Sequence, residues 1–415
     1  MASAPNWSAL GKLAGPPIIT DLMHRALAEP GLLSLAAGFT DNTALPSSFV
    51  SQAVEALANS DNGDEHLQYG SNAGRMKLRE ITAERVSALD EQPGLIRPDS
   101  VFISNGSQQA LYLAMLSLCE PGDAIIVEKP TYFVFLEMLA AFGVEAIPLP
   151  GSGDGRVDLE ALPDFFQQIS RKRVKAVYLN SYFANPTSSS LTVLEKKALA
   201  REMSLIDWYP PVIEDGAYRE LYFQKPAEAL SVMAMPEFAD FPRLYTGTFT
   251  KPFATGLKIG FAICQDHRWR EKLLGLKGCQ DFGTPNFNQA IIEYALSSGA
   301  FDTHLKRLHR HYREKSEVMC EALEKSDLRE LGWSWSVPSG GLYYWLKGPD
   351  SLDASMESTF CDECLHGKVL YVPGNLCMAG GTPKSFVRLS FGAIAQDQIS
   401  TAVARFADAA RKHIA

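Results

Sequence analysis

Residues 243–264 read RLYTGTFTKPFATGLKIGFAIC. Two apolar runs, RLYTGTF and KIGFAIC, flank a short loop that sets Lys251 among Thr and Gly residues. Apolar runs of this length, bounded by Gly and Pro, read as strands. Toward the N-terminus the same kind of run recurs as PPVIEDG, VKAVYLN, VEAIPL, AIIVE and VFIS. Helical patterns such as FVFLEMLAAFG and ALYLAMLSLCE lie between them. Strands alternating with helices imply βαβ units and a mostly parallel sheet, buried on both faces. In such sheets ligands bind at the strand ends, which is where Lys251 falls.

The last third changes character. NQAIIEYALSSGAFDTHLKRLHRHYREKSEVMCEALEKS is helical over most of its length, and short strands follow as WSWSV, GGLYYWL, VLYVPG and FVRLSF before a closing helix, QISTAVARFADAARK. Strands and helices segregated in this way predict a second, smaller α+β domain. The expected division is an N-terminal segment over 1–45 packed on the small domain, a large domain over 46–295, and the small domain over 296–415.

Composition narrows the function. The chain has 415 residues, 46% hydrophobic and 21% charged, with a formal net charge of −9. An acidic chain argues against a nucleic-acid partner. No apolar stretch approaches a membrane span, and MASAPNWSALGK lacks the basic start and apolar run of a signal peptide. Seven scattered cysteines point to a reduced, cytoplasmic protein. Cys361 and Cys364 have CxxC spacing with His366 nearby, but no second pair follows. The plainer reading is two half-buried thiols on one helical face, and no metal is expected.

Several residues carry chemical possibilities. Burial or a neighbouring cation such as Lys258 would lower the pKa of Lys251 and make its amine a nucleophile toward aldehydes. On its own segment, a surface lysine is the plainer reading. Asp215 ends the apolar run VIED, where its carboxylate could pair with a protonated ring nitrogen or cap a helix; Tyr218 lies three residues on. In ISNGSQQALYLA a strand meets Asn105-Gly106-Ser107-Gln108 and then a helix, offering free N–H groups and a hydroxyl to a phosphate. GSGDGR at Gly151 is a surface turn, because Arg156 stands where a dinucleotide fingerprint needs Gly. Tyr132 in EKPTY could stack on a flat cofactor, and the Asn185 amide in NPTSSS could reach a ring oxygen. Singly, both read as ordinary turn or core residues.

These pieces occur in one order, each at a strand end. The patterns LQYGSNAGRMKLRE, GSQQAL, EKPTY, NPTSSS, EDGAY, GTFTKPFATGLKIG, PSGGLYYWL and FVRLSFG together resemble the class I/II aminotransferases, the aspartate-aminotransferase-like enzymes of pyridoxal-phosphate fold type I. The resemblance covers nearly the whole chain and is strongest to the branch of aminoadipate, kynurenine and valine–pyruvate aminotransferases. It implies a large domain with a mostly parallel seven-stranded sheet flanked by helices, a smaller α+β domain, and pyridoxal 5'-phosphate as cofactor.

By the same resemblance, Lys251 carries the cofactor and shuttles the substrate proton. Asp215 pairs with the pyridine nitrogen, Asn185 and Tyr218 bond the ring hydroxyl oxygen, and Tyr132 stacks on the ring. Ser107, Gln108, Thr248 and Lys258 hold the phosphate, and Tyr69 reaches the phosphate of a partner subunit, so a homodimer is expected. Arg388, with Asn185, grips the substrate α-carboxylate. Gly38 and Phe39 line the substrate pocket. The expected reaction moves an amino group between an amino acid and a 2-oxo acid by a ping-pong course.

Four positions depart from the family pattern. Lys258 stands where Arg is usual and lacks its planar fork. NPTS replaces NPTG, and Thr250 replaces the Ser before the lysine. Thr20 aligns where aminoadipate-type enzymes often place an Arg toward the substrate side chain, which tilts the expectation toward neutral or aromatic substrates. A lyase could use the same lysine, aspartate and arginine. A ligand-sensing regulator with a DNA-binding domain, of the MocR kind, fits an acidic chain poorly.

Overall fold

The computed structural model describes residues 5–13, 15, 29–61 and 63–414; Thr20 lies outside them. A short strand, β1 (Leu33–Ser34), precedes the main sheet. That sheet is built from β2 (Val101–Asn105), β3 (Ala124–Val127), β4 (Glu145–Pro148), β5 (Val174–Leu179), β6 (Val212–Asp215), β7 (Arg243–Thr248) and β8 (Ile259–Cys264). Its order is β2-β8-β7-β6-β5-β3-β4. Neighbours from β7 through β4 pair in parallel, and only β8 runs antiparallel, to both β7 and β2. The sheet is therefore seven-stranded and mostly parallel, as the apolar runs predict.

The strands are rich in Val and Ile, and every residue of β3, β6 and β8 is buried. That is what helices covering both faces require. The helix Val193–Leu205 opens with a capping box between Thr192 and Glu195, which satisfies two orphan N–H groups at its start. The consequence for the site is directional. The loops after β2, β3, β5, β6 and β7 all leave the same edge of the sheet, and these loops carry Ser107, Tyr132, Asn185, Tyr218 and Lys251.

The second sheet has the order β12-β13-β10-β9, formed by β9 (Ser334–Trp335), β10 (Tyr343–Lys347), β12 (Val372–Pro373) and β13 (Phe386–Ser390). Between them, β11 (Val369–Leu370) pairs with β1 in parallel and ties the N-terminal segment to this part of the chain. The VLYVPG run thus feeds two different sheets. The long helical stretch is two helices, Asn286–Ser297 and Ala300–Lys325, because Gly299 takes a left-handed φ of 75° between them. The second buries Leu305, Leu308, Tyr312, Met319 and Leu323 along one face.

Cys361 and Cys364 sit on the helix Thr359–His366 and are fully buried rather than half-buried, and burial pushes the Cys364 thiol up. No group of three His, Cys, Asp or Glu among the described residues is placed to hold a metal ion. No described helix is long and apolar enough to cross a membrane.

Candidate active site

Asp215 closes β6 with its carboxylate buried. Its partners among the described residues are neutral: the Tyr178 hydroxyl donates at 3.0 Å, the Ala217 N–H donates at 3.0 Å, and Thr246 contributes a third bond. Burial pushes its pKa up to about 6, and the three hydrogen bonds oppose that. A buried carboxylate with no cation is complementary to one that arrives with a ligand.

Lys251 follows β7 in the next loop. Its Nζ donates to the Gly38 carbonyl at 2.7 Å. Burial, with the positive charges of Arg388 and Lys258 adding to it, holds its pKa down at about 8. The amine therefore has a substantial neutral fraction near pH 8, as a nucleophile or base needs. Lys258 itself is solvent-exposed, in a left-handed turn with φ of 57°.

Arg388 lies mid-strand on β13, directly opposite Trp345 of β10 and on the same sheet face as Tyr343. It is 1% exposed. It donates to the Asn185 side-chain oxygen at 2.7 Å and to the Ala36 carbonyl at 2.6 Å, and its Nε has no partner. It forms no ion pair among the described residues. A buried guanidinium in that state is costly unless a ligand anion completes it. Asn185 turns its amide nitrogen to Tyr343 at 3.4 Å, and the Tyr343 and Tyr218 hydroxyls meet at 2.7 Å. Gly38 approaches closely here: a Cβ would stand 3.1 Å from the Tyr343 hydroxyl, which would have to give way by a few tenths of an ångström.

The anion end lies at the helix Gly106–Leu118. Asn105 precedes it without a side-chain cap, so its first N–H groups stay free. Gly260 of β8 packs against this turn so closely that a Cβ would meet the Gly106 carbonyl carbon at 2.4 Å. The Thr250 hydroxyl is buried without a partner and lies 3.9 Å from where a Gly106 Cβ would be. Thr248 is differently engaged: its hydroxyl donates to the Ile259 carbonyl at 3.2 Å and accepts from the Thr250 N–H at 3.0 Å. Ser107 is half-buried and Gln108 exposed.

The fold thus gathers Lys251, Asp215, Asn185, Tyr218, Arg388 and Gly38 into one cluster. Tyr132 joins it at the start of the helix Phe133–Phe142; burial pushes its phenol up, with Tyr343 and Asp215 adding to the shift. Phe39 is 46% exposed at the rim. Tyr69 is not brought in: it stands 80% exposed at the surface, against Phe282 at 5.7 Å. Sequence reasoning did not assign Tyr178, Thr250 or Tyr343. A tyrosine inside an apolar strand run was the available signal for two of them, since a buried hydroxyl needs a partner.

Comparisons with known proteins agree with this geometry. The profile of aminotransferase class I and II matches residues 31–406. A 2-aminoadipate transaminase of Thermus thermophilus is 31% identical over 408 residues, covering 96% of each chain. An aromatic-amino-acid aminotransferase of Thermococcus litoralis is 28% identical and covers 92% of this chain and 89% of that one. The solved structure of an alpha-aminoadipate aminotransferase from Thermus thermophilus, complexed with N-(5'-phosphopyridoxyl)-L-leucine, superposes with a TM-score of 0.84 at 28% identity, over 98% of this chain and 97% of that one. The chain belongs to the class I and II aminotransferases, enzymes that transfer amino groups with pyridoxal 5'-phosphate.

Proposed function

We propose that the Lys251–Asp215–Arg388 cluster is the transamination centre and that each group meets a complementary part of cofactor or substrate. The carrying observation is charge matching. Among the described residues, Asp215 is an anion without a cation, Arg388 a cation without an anion, and Lys251 a depressed amine facing two cations. The orphaned Thr250 hydroxyl beside the free N–H groups at Gly106 suits a phosphate.

Pyridoxal 5'-phosphate, when bound, supplies an aldehyde that captures amines and a ring that withdraws electrons from the substrate Cα. Asp215 would hold the ring nitrogen protonated, and Tyr218 and Asn185 would bond its hydroxyl oxygen. Ser107, Gln108, Thr248, Thr250 and Lys258 would hold the phosphate, with Tyr132 against the ring. Arg388, oriented by Asn185, binds the substrate α-carboxylate and so fixes which Cα bond faces Lys251. The Lys251 Nζ then takes the Cα proton and returns it to the cofactor side. Gly38 and Phe39 line the way in.

An amino acid donor and a 2-oxo acid acceptor follow from this chemistry, with neutral or aromatic side chains favoured because Arg388 is the one arginine in the cluster as described. A homodimer belongs to the same reading. Tyr69, Phe282, Leu67 and Met76 leave an exposed apolar group near the anion end, where a second subunit would cover it. A cytoplasmic location suits seven cysteines that form no disulfide. The test is a single half-reaction: holoenzyme mixed with one amino acid and no acceptor yields one equivalent of 2-oxo acid, then stops. Continuous ammonia release without an acceptor overturns the reading.

A further inference from the structure

Tyr343 follows two glycines in PSGGLYYWL and is fully buried. Its ring lies under the Arg388 guanidinium, 4.4 Å from centroid to charge. Among the described residues, its hydroxyl bonds only groups of the cluster: the Tyr218 hydroxyl at 2.7 Å and the Asn185 amide nitrogen at 3.4 Å. The charged or titratable groups facing it are Arg388, Tyr218, Tyr132, Tyr312 and Cys377.

A proton inventory decides what this hydroxyl does. Arginine only donates, so the oxygen of the Asn185 amide must face Arg388 and its NH2 must face Tyr343. Tyr343 therefore accepts from Asn185. Burial pushes both phenols up, so both keep their protons. Among the described residues, the acceptor within reach of the Tyr343 proton is the Tyr218 oxygen. Either hydroxyl can donate in this pair; with the Tyr218 proton given to the ring oxygen, as proposed above, Tyr343 is the one that donates to Tyr218. The Tyr218 proton is then turned away from Tyr343.

We infer that Tyr343 is a positioning residue for the cofactor ring hydroxyl: by donating to Tyr218, it aims the Tyr218 proton at the ring oxygen and strengthens that bond. The inference rests on the cofactor placement proposed above. Donors on the ring oxygen favour its anion, and so lower the pH at which the neighbouring lysine–cofactor linkage loses its proton. Chained hydroxyls reinforce one another, so removing the outer one weakens the inner.

The experiment is an absorbance titration of the holoenzyme, with cofactor dissociation measured beside it. Tyr343→Phe removes one oxygen and keeps the ring beneath Arg388. It is expected to raise the spectral midpoint by about 0.5 pH unit and to weaken cofactor retention by roughly threefold to tenfold. Tyr344→Phe deletes a buried hydroxyl one residue on, whose bond runs to the Ser316 carbonyl at 3.1 Å, and should leave both readings unchanged. In a Tyr218→Phe background, Tyr343→Phe should add no further shift. A midpoint unmoved in Tyr343→Phe, or shifts that add in the double variant, overturns the inference. A wild-type holoenzyme with no lysine-linked absorbance band would instead sink the cofactor placement itself.

Discussion

Glu214 and Asp215 are consecutive on β6 and equally buried, yet their surroundings differ in kind. Alternation sends them to opposite faces of the sheet. On one face, Glu214 is held by Lys196 at 2.6 Å and accepts from the Val232 N–H at 2.8 Å. Lys196 in turn reaches the Tyr182 hydroxyl and the Leu230 carbonyl, so both charges are closed off. On the other face, Asp215 meets neutral donors, and the lysine in that region, Lys251, meets a carbonyl and two cations. A buried pair that neutralises itself is architecture. Buried groups of opposite sign that are kept apart are poised for a ligand that carries the missing charges.

Substitutions can break this contrast. The largest effect is expected for Lys251→Ala: turnover should fall by about 10⁴-fold, with loss of both nucleophile and base, while the melting temperature holds. Lys196→Ala should do the reverse, and a Lys251→Ala enzyme within tenfold of wild type would erase the distinction. Asp215→Asn comes next, with turnover down about 100-fold or more as the ring loses its anionic partner. Steady-state kinetics on the refolded, cofactor-saturated variant would check this.

Glu214→Gln should cost about 3 kcal/mol of stability by leaving Lys196 buried and uncompensated, with turnover of the folded enzyme changed only a few-fold. Urea unfolding paired with an activity assay separates the two quantities. The smallest effect is one of pH on the cofactor-free protein. The folded Asp215 pKa, raised to about 6, exceeds its unfolded value near 3.8. Its contribution to stability is therefore complete below about pH 4 and lost as pH rises through 6. For Lys251 the folded value, about 8, is depressed, so its contribution is present above the unfolded value of 10.5 and lost as pH falls through 8. Asp215→Asn should flatten the first segment of a melting-temperature profile and leave the second intact.

Much of the fold was legible because its signals are local. Each strand of the large sheet coincides with an apolar run, since a strand buried on both faces must be apolar throughout. The splitting of VLYVPG between two sheets was not legible, since it depends on which distant strands offer edges, whereas the helix break at Gly299 has a local signal, the glycine itself, inside an otherwise helical run. The site divides similarly. Lys251, Asp215, Asn185 and Arg388 were assigned through the family resemblance of their motifs, and Thr250 and Tyr343 lie inside the very motifs quoted, without a role. Their significance is a matter of partners: one hydroxyl has none, and the other has only groups of the cluster.

By itself, the sequence determined the architecture, the family resemblance and the residues that converge, because burial patterns and strand-end motifs are written in adjacent positions. Only the tertiary structure decided which buried charges are already neutralised. Glu214 and Asp215 are one peptide bond apart and read alike as VIED. What separates them is that a lysine from the helix Val193–Leu205 pairs with Glu214, while no cation among the described residues pairs with Asp215, a difference of three-dimensional company that no local pattern encodes.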